Sequence, residues 1–119
     1  MSMRTFRITV RGAFDGLTGD QRAALLADAA AHDVLRAAFT PEGTLTYDIA
    51  ARPAFVFRFS ATGEEEEDIL EATEQAEAAA EAWLTERGYG FKNLRSSAED
   101  LSQAPLSKRQ RRAARSAEA

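Results

Sequence analysis

Residues 4–14, RTFRITVRGAF, alternate between apolar and polar positions. Phe6, Ile8 and Val10 fall on one face and Arg7, Thr9 and Arg11 on the other, the pattern of a strand buried on one side. Asp15-Gly16 is a turn signal. The alanine-rich stretch TGDQRAALLADAAAHD favours helix. Thr18 with Gln21 three residues on fits a capping box, and Leu25, Leu26 and Ala29 form the expected buried stripe. Val34–Thr40 reads as a strand with little alternation, and Pro41-Glu42-Gly43 as a turn. Thr44–Ile49 alternates again, placing Leu45, Tyr47 and Ile49 opposite Thr44, Thr46 and Asp48. Arg52-Pro53 breaks this run. Ala54–Ser60 then puts Phe55, Phe57 and Phe59 on one face and Val56 and Arg58 on the other.

Residues 64–87 carry the strongest helical period. Ile69, Thr73, Ala76, Ala80, Trp83 and Leu84 define one stripe, with Glu67, Glu71, Glu74 and Glu81 roughly opposite, so Trp83 is expected to be largely buried. Glu64–Glu67 would supply negative charge to the first turn, and Gly88 would stop the helix. Tyr89–Arg95 reads as a last strand. From Ser96 the composition turns polar and irregular. The order is therefore strand, helix, two or three strands, helix, strand. That predicts an α+β fold of the ferredoxin-like βαββαβ type with one extra strand, an antiparallel sheet and two helices on one face. Residues 1–100 form the single expected domain, and 101–119 a polar, basic tail.

Composition narrows the chemistry. The chain of 119 residues has no cysteine and one histidine, which removes disulfides, thiolate chemistry and the usual structural zinc sites. No metal and no cofactor is expected. No apolar run approaches the roughly 18 residues of a membrane span, and MSMRTFRITV lacks a signal peptide's apolar core. Charge is segregated: residues 1–105 hold 10 Lys/Arg against 18 Asp/Glu, and residues 106–119 hold 5 against 1. An acidic body repels nucleic acid, whereas a basic tail attracts it.

The segments RTFRITVRGAFDGLT, HDVLRAAFTPEGTLTYD, EEEED, RGYGFKNLR and SKRQRR together resemble a small actinobacterial family of uncharacterised proteins. The resemblance covers nearly the whole chain. It implies a bacterial cytoplasmic protein with a ferredoxin-like fold, and no catalytic residues. That fold hosts many unrelated functions and selects none.

The residues themselves offer several candidates. If the phenylalanines pack inward, Arg7, Arg11 and Arg58 share the open sheet face and form a cationic patch for an anionic ligand or a partner's carboxylates. The plainer reading is that their long stems cover an exposed sheet. Tyr47 and Tyr89 are candidate lining for a pocket between sheet and helices, or else ordinary packing. Lys108, Arg109, Arg111, Arg112 and Arg115 in the tail are candidate phosphate contacts, or a solubilising terminus. Ala54-Phe55-Val56 partly matches an RNA-recognition strand, but Pro53 and Arg58 replace residues that would stack bases, so the phenylalanines read as core. The acidic run Glu64–Asp68 lacks the spacing of a calcium loop. His32 has no identifiable catalytic partner and reads as a helix-end residue.

Three functions follow. The first is a non-enzymatic binding or regulatory module, homodimeric through the open sheet face or an edge strand. The second is a small dimeric enzyme of the α/β-barrel type, with a pocket using Tyr47, Tyr89 and His32. The third is an RNA- or ribosome-associated protein using its tail.

Overall fold

The alternating segment at the start of the chain forms β1 (Arg4–Phe14), with Phe6, Ile8 and Val10 fully buried. Its partner is β3 (Ala54–Gly63), whose Phe55, Phe57 and Phe59 are buried on the same side. β2 (Thr44–Tyr47) pairs with the outer edge of β3, and β4 (Phe91–Asp100) with the other edge of β1. The strand order is β2-β3-β1-β4, with every pairing between these strands antiparallel. With α1 (Gly19–Ala27) after β1 and α2 (Asp68–Glu86) after β3, this is the expected ferredoxin-like α+β fold. The computed structural model describes residues 3–101. The core lies between sheet and helices, where Leu25 of α1 and Ala76, Ala80 and Leu84 of α2 meet the inward strand residues. The basic cluster of the tail lies outside the described residues.

Local chemistry explains each boundary. Thr18 and Gln21 form the expected capping box, each side chain bonded to the other's backbone N–H at 3.0–3.1 Å. The Gln21 amide also donates to the Gly88 carbonyl at 3.0 Å, tying the start of α1 to the end of α2. α1 stops sooner than its alanine content suggests, and Ala29–His32 and Val34–Arg36 are short 3₁₀ turns. Asp33 starts the second by accepting from Leu35 N–H at 2.8 Å, a local bond that competes with strand pairing. The extra strand is thereby reduced to one residue. Thr40 bridges Phe59 in parallel, and its carbonyl accepts from Ser60 N–H at 2.8 Å. Gly43 closes the next turn at φ +89°, where a β-carbon would strike the Phe59 ring.

α2 begins at Asp68 and not at Glu64. The Asp68 carboxylate reaches back to the N–H groups of Glu64 and Glu65, both at 3.0 Å, and folds the acidic run into a turn. These bonds hold its carboxyl below the ordinary carboxylate value. At the other end Gly88, at φ +73°, donates to Thr85 O, and Tyr89 donates to Leu84 O, the Schellman pattern. Trp83 is half-buried, less than its place on the stripe suggests. It packs edge-on against Phe57, stacks on Tyr89, and carries the Arg87 guanidinium 4.2 Å from its ring centre.

The last strand departs most from expectation, running on to Asp100 through the polar stretch. Ser96 hydrogen-bonds Glu77 of α2, and Asp100 pairs with Arg4 at 2.8 Å. Its register shifts between Arg11 and Ala13 because β4 carries one extra residue there, and Asn93 adopts φ +57°. This bulge lets Phe91 and Leu94, three positions apart, both pack against the core.

Candidate functional site

The open sheet face is polar, and its layout follows from the register. Arg7 stands opposite Ser60, Thr9 opposite Arg58, and Arg11 opposite Val56. On the other side of β1, Arg7 faces Glu99, Thr9 faces Ser97, and Arg11 faces Arg95. Arg58 is thus diagonal to both Arg7 and Arg11, about 7–8 Å away along the backbone. The three arginines share one face by register. Arg95 joins them: simple alternation through the expected strand Tyr89–Arg95 would put it on the same face as Phe91, and the bulge at Asn93 turns it to the open face.

Their guanidinium groups are held differently. Arg7 reaches over the small Ser60 and lies 5.1 Å from the ring centre of Phe39. Arg58 turns the other way, toward the β2 edge, and donates from Nη1 to Thr46 Oγ1 at 2.8 Å. There it lines an open groove of about 710 Å³ that runs along β2 and the turn after it. Val34, Ile49 and Val56 give the groove an apolar wall, and Arg52 is a second cation in its lining. Asp33 and Asp48 also border it, and one oxygen of each carboxylate accepts from its own turn, from Leu35 N–H and Ala51 N–H respectively. Among the described residues the ion pairs are Arg4–Asp100 and Lys92–Asp15. Among the described residues no carboxylate lies at ion-pair distance from Arg58, which is half-buried and faces the groove.

The tyrosines sit on the helix side of the sheet. Tyr47 is buried, and its hydroxyl donates to the Leu25 carbonyl at 2.6 Å. That carbonyl lies in the last turn of α1, where no helical N–H is available to it. Burial, reinforced by the nearby charge of Asp28, pushes the Tyr47 hydroxyl up to about 12. Tyr47 is among the residues lining the groove, and its ring stacks on His32, whose Nδ1 carries a proton toward the Leu45 carbonyl 3.0 Å away. Tyr89 packs edge-on against Phe14 and stacks on Trp83, away from the groove. Of the five expected ligand residues, Arg58 and Tyr47 come together at the groove, Arg7 and Arg11 lie on the adjoining sheet surface, and Tyr89 lies in the aromatic cluster.

Other candidates resolve simply. Phe55, Phe57 and Phe59 are core, so they offer no stacking platform on the open face. A second cavity of about 330 Å³, between α2 and the central strands, is walled by Ile8, Phe59, Ala72, Ala76 and Ala79. Among the described residues no acidic or histidine cluster is arranged to hold a metal ion, and no helix is long and apolar enough to cross a membrane.

Comparison with known proteins identifies the family. The chain matches, over residues 1–112, the model described as a family of unknown function (DUF6204), and it belongs to that family. No curated protein and no solved structure matches it.

Proposed function

We propose that this family member is a binding module, working in the cytoplasm of an actinobacterium, that takes up a small organic anion in the groove along β2. The observation that carries this reading is Arg58, a half-buried guanidinium facing a cavity without a carboxylate partner among the described residues. A guanidinium so placed offers an entering anion charge-assisted hydrogen bonds. Thr46 holds one end of the fork, which leaves the remaining N–H groups for the ligand. Arg52 adds a second positive charge, and the wall of Val34, Ile49 and Val56 suits an apolar tail. A carboxylate with a short hydrocarbon chain fits this chemistry better than a bare inorganic anion.

Binding is favoured over catalysis because the groups most suited to acid–base work are already engaged. The Tyr47 hydroxyl and His32 Nδ1 both donate to backbone carbonyls. The test is calorimetric titration of the full chain with hexanoate and, separately, inorganic phosphate. Hexanoate should bind more tightly, and Arg58→Gln should weaken it roughly ten- to a hundred-fold, the scale for hydrogen bonds to a charged group. Absence of hexanoate binding, or equal binding by Arg58→Gln, would overturn the proposal.

A further inference from the structure

We infer that the edge of β4 left without a strand partner among the described residues pairs with the same edge of a second copy of this chain, antiparallel about a two-fold axis through Ser97. The two four-stranded sheets would join into one. The inference stands apart from the groove, which lies at the opposite edge of the sheet.

Backbone direction comes first. Phe14 N–H donates to Pro53 O, on the β3 side of β1, and Asp15 N–H donates to Gly90 O, on the β4 side. Even-numbered β1 residues therefore turn their backbone groups toward β3, and odd-numbered ones toward β4. Arg7, Thr9 and Arg11 are thus bonded to their β4 partners Glu99, Ser97 and Arg95. The alternate β4 residues Ser96 and Ala98 turn their N–H and C=O groups to the outer edge, where no described strand lies. An axis through Ser97 sets Ser96 against the second copy's Ala98, and both residues have those groups available.

Strand shape is compatible with the same axis. The bulge at Asn93 ends regular pairing on one side, and the strand ends at Asp100 on the other. The regular stretch is 95–100, and Ser97 is one of its two central residues.

Charge then selects the axis through Ser97. About this axis Arg95 faces the second copy's Glu99, twice per dimer, in the pairs whose side chains approach most closely. Within one chain Arg95 stands opposite another cation, Arg11, and Glu99 stands opposite Arg7, whose guanidinium lies over Phe39. Among the described residues neither Arg95 nor Glu99 has an ion-pair partner. A second copy supplies both. The β2 edge is a poorer choice, because Thr40 and the 3₁₀ turns lie along it.

The experiment is sedimentation of the full chain over the micromolar range. Wild type should dimerise. Arg95→Glu and Glu99→Arg should each raise the dimer dissociation constant about ten-fold or more, since each sets like charges opposite one another twice. An equimolar mixture of the two variants should recover dimer, because every Glu then meets an Arg. Thermal melts should show both variants folded, and Arg95→Glu in particular relieves the contact with Arg11. A monomeric wild type, a dimer indifferent to both variants, or a mixture that recovers nothing would each overturn the inference.

Discussion

At the scale of the residue, the least ordinary position is Asn93. A left-handed backbone is strained for side chains in general, less so for asparagine, and worst for β-branched residues. Here it realigns the faces of β4 so that Phe91 and Leu94 both reach the core. Asn93→Gly should change stability by less than about 0.5 kcal/mol, whereas Asn93→Val should cost about 1–2 kcal/mol in chemical denaturation. Equal effects would mean that the conformation is not what the site requires. No alternation reveals this bulge in the sequence; its trace is the odd spacing of Phe91 and Leu94 in a strand of otherwise polar residues. Tyr47 was legible as an inward strand residue, but its bond to Leu25 depends on where α1 ends. Its hydroxyl keeps its proton up to about 12 in the folded protein, against 10.0 in an ordinary tyrosine. The unfolded chain therefore releases that proton first. Tyr47 contributes its full stabilisation below pH 10 and loses it as the pH climbs toward 12, by up to about 3 kcal/mol. Tyr47→Phe should flatten the alkaline fall in stability and cost roughly 1–3 kcal/mol at neutral pH, since the Leu25 carbonyl loses its partner. An unchanged alkaline slope would contradict that account.

At the scale of the element, what could be read depended on whether one local rule acted alone. The capping box at Thr18 and the glycine stop at Gly88 are short-range devices, and both form as their residues suggest. Thr18→Ala should lower stability by about 1 kcal/mol, and Thr18→Ser by much less, measured by urea unfolding. Where two local rules compete, the pattern alone misleads. Glu64–Glu67 looks like the first turn of a helix, yet Asp68 gathers the N–H groups of Glu64 and Glu65 and starts the helix later. Val34–Thr40 looks like a strand, yet Asp33 bonds Leu35 and turns the chain. In both cases an aspartate side chain outbids the ladder or the helix for nearby backbone donors. β4 shows the converse. Its residues past Ser96 have little strand character, but β1 offers an unpaired edge long enough to organise them, with Asp100 fixed by Arg4. Tertiary pairing of that kind has no local signature.

At the scale of the whole molecule, charge is divided between the two sides of the sheet. α2 contains six carboxylates and no Lys or Arg, whereas the strands of the open face carry Arg7, Arg11, Arg58, Arg95 and, past the bulge, Lys92 against Glu99, with Asp33 and Asp48 at the groove. The division was partly legible, since strand alternation alone puts Arg7, Arg11 and Arg58 together; the groove was not, because it depends on how the chain returns past β2. Concentrating cations on one face works against stability. Arg11 and Arg95 stand directly opposite one another, an arrangement that costs a few tenths to about 1 kcal/mol. Nothing in folding alone calls for it, whereas an anion approaching the face is drawn by the summed field. Arg11→Thr should therefore stabilise the protein by roughly 0.5 kcal/mol, because threonine suits an exposed strand and relieves the repulsion. The same change should weaken hexanoate binding at low salt and make it less sensitive to added salt, since one charge of the attracting field is gone. Both effects are read on one variant, by thermal melting and by titration at two ionic strengths. A variant that melts lower than wild type would show that Arg11 stabilises the sheet, and the case for a face arranged around an anion would lose its energetic support.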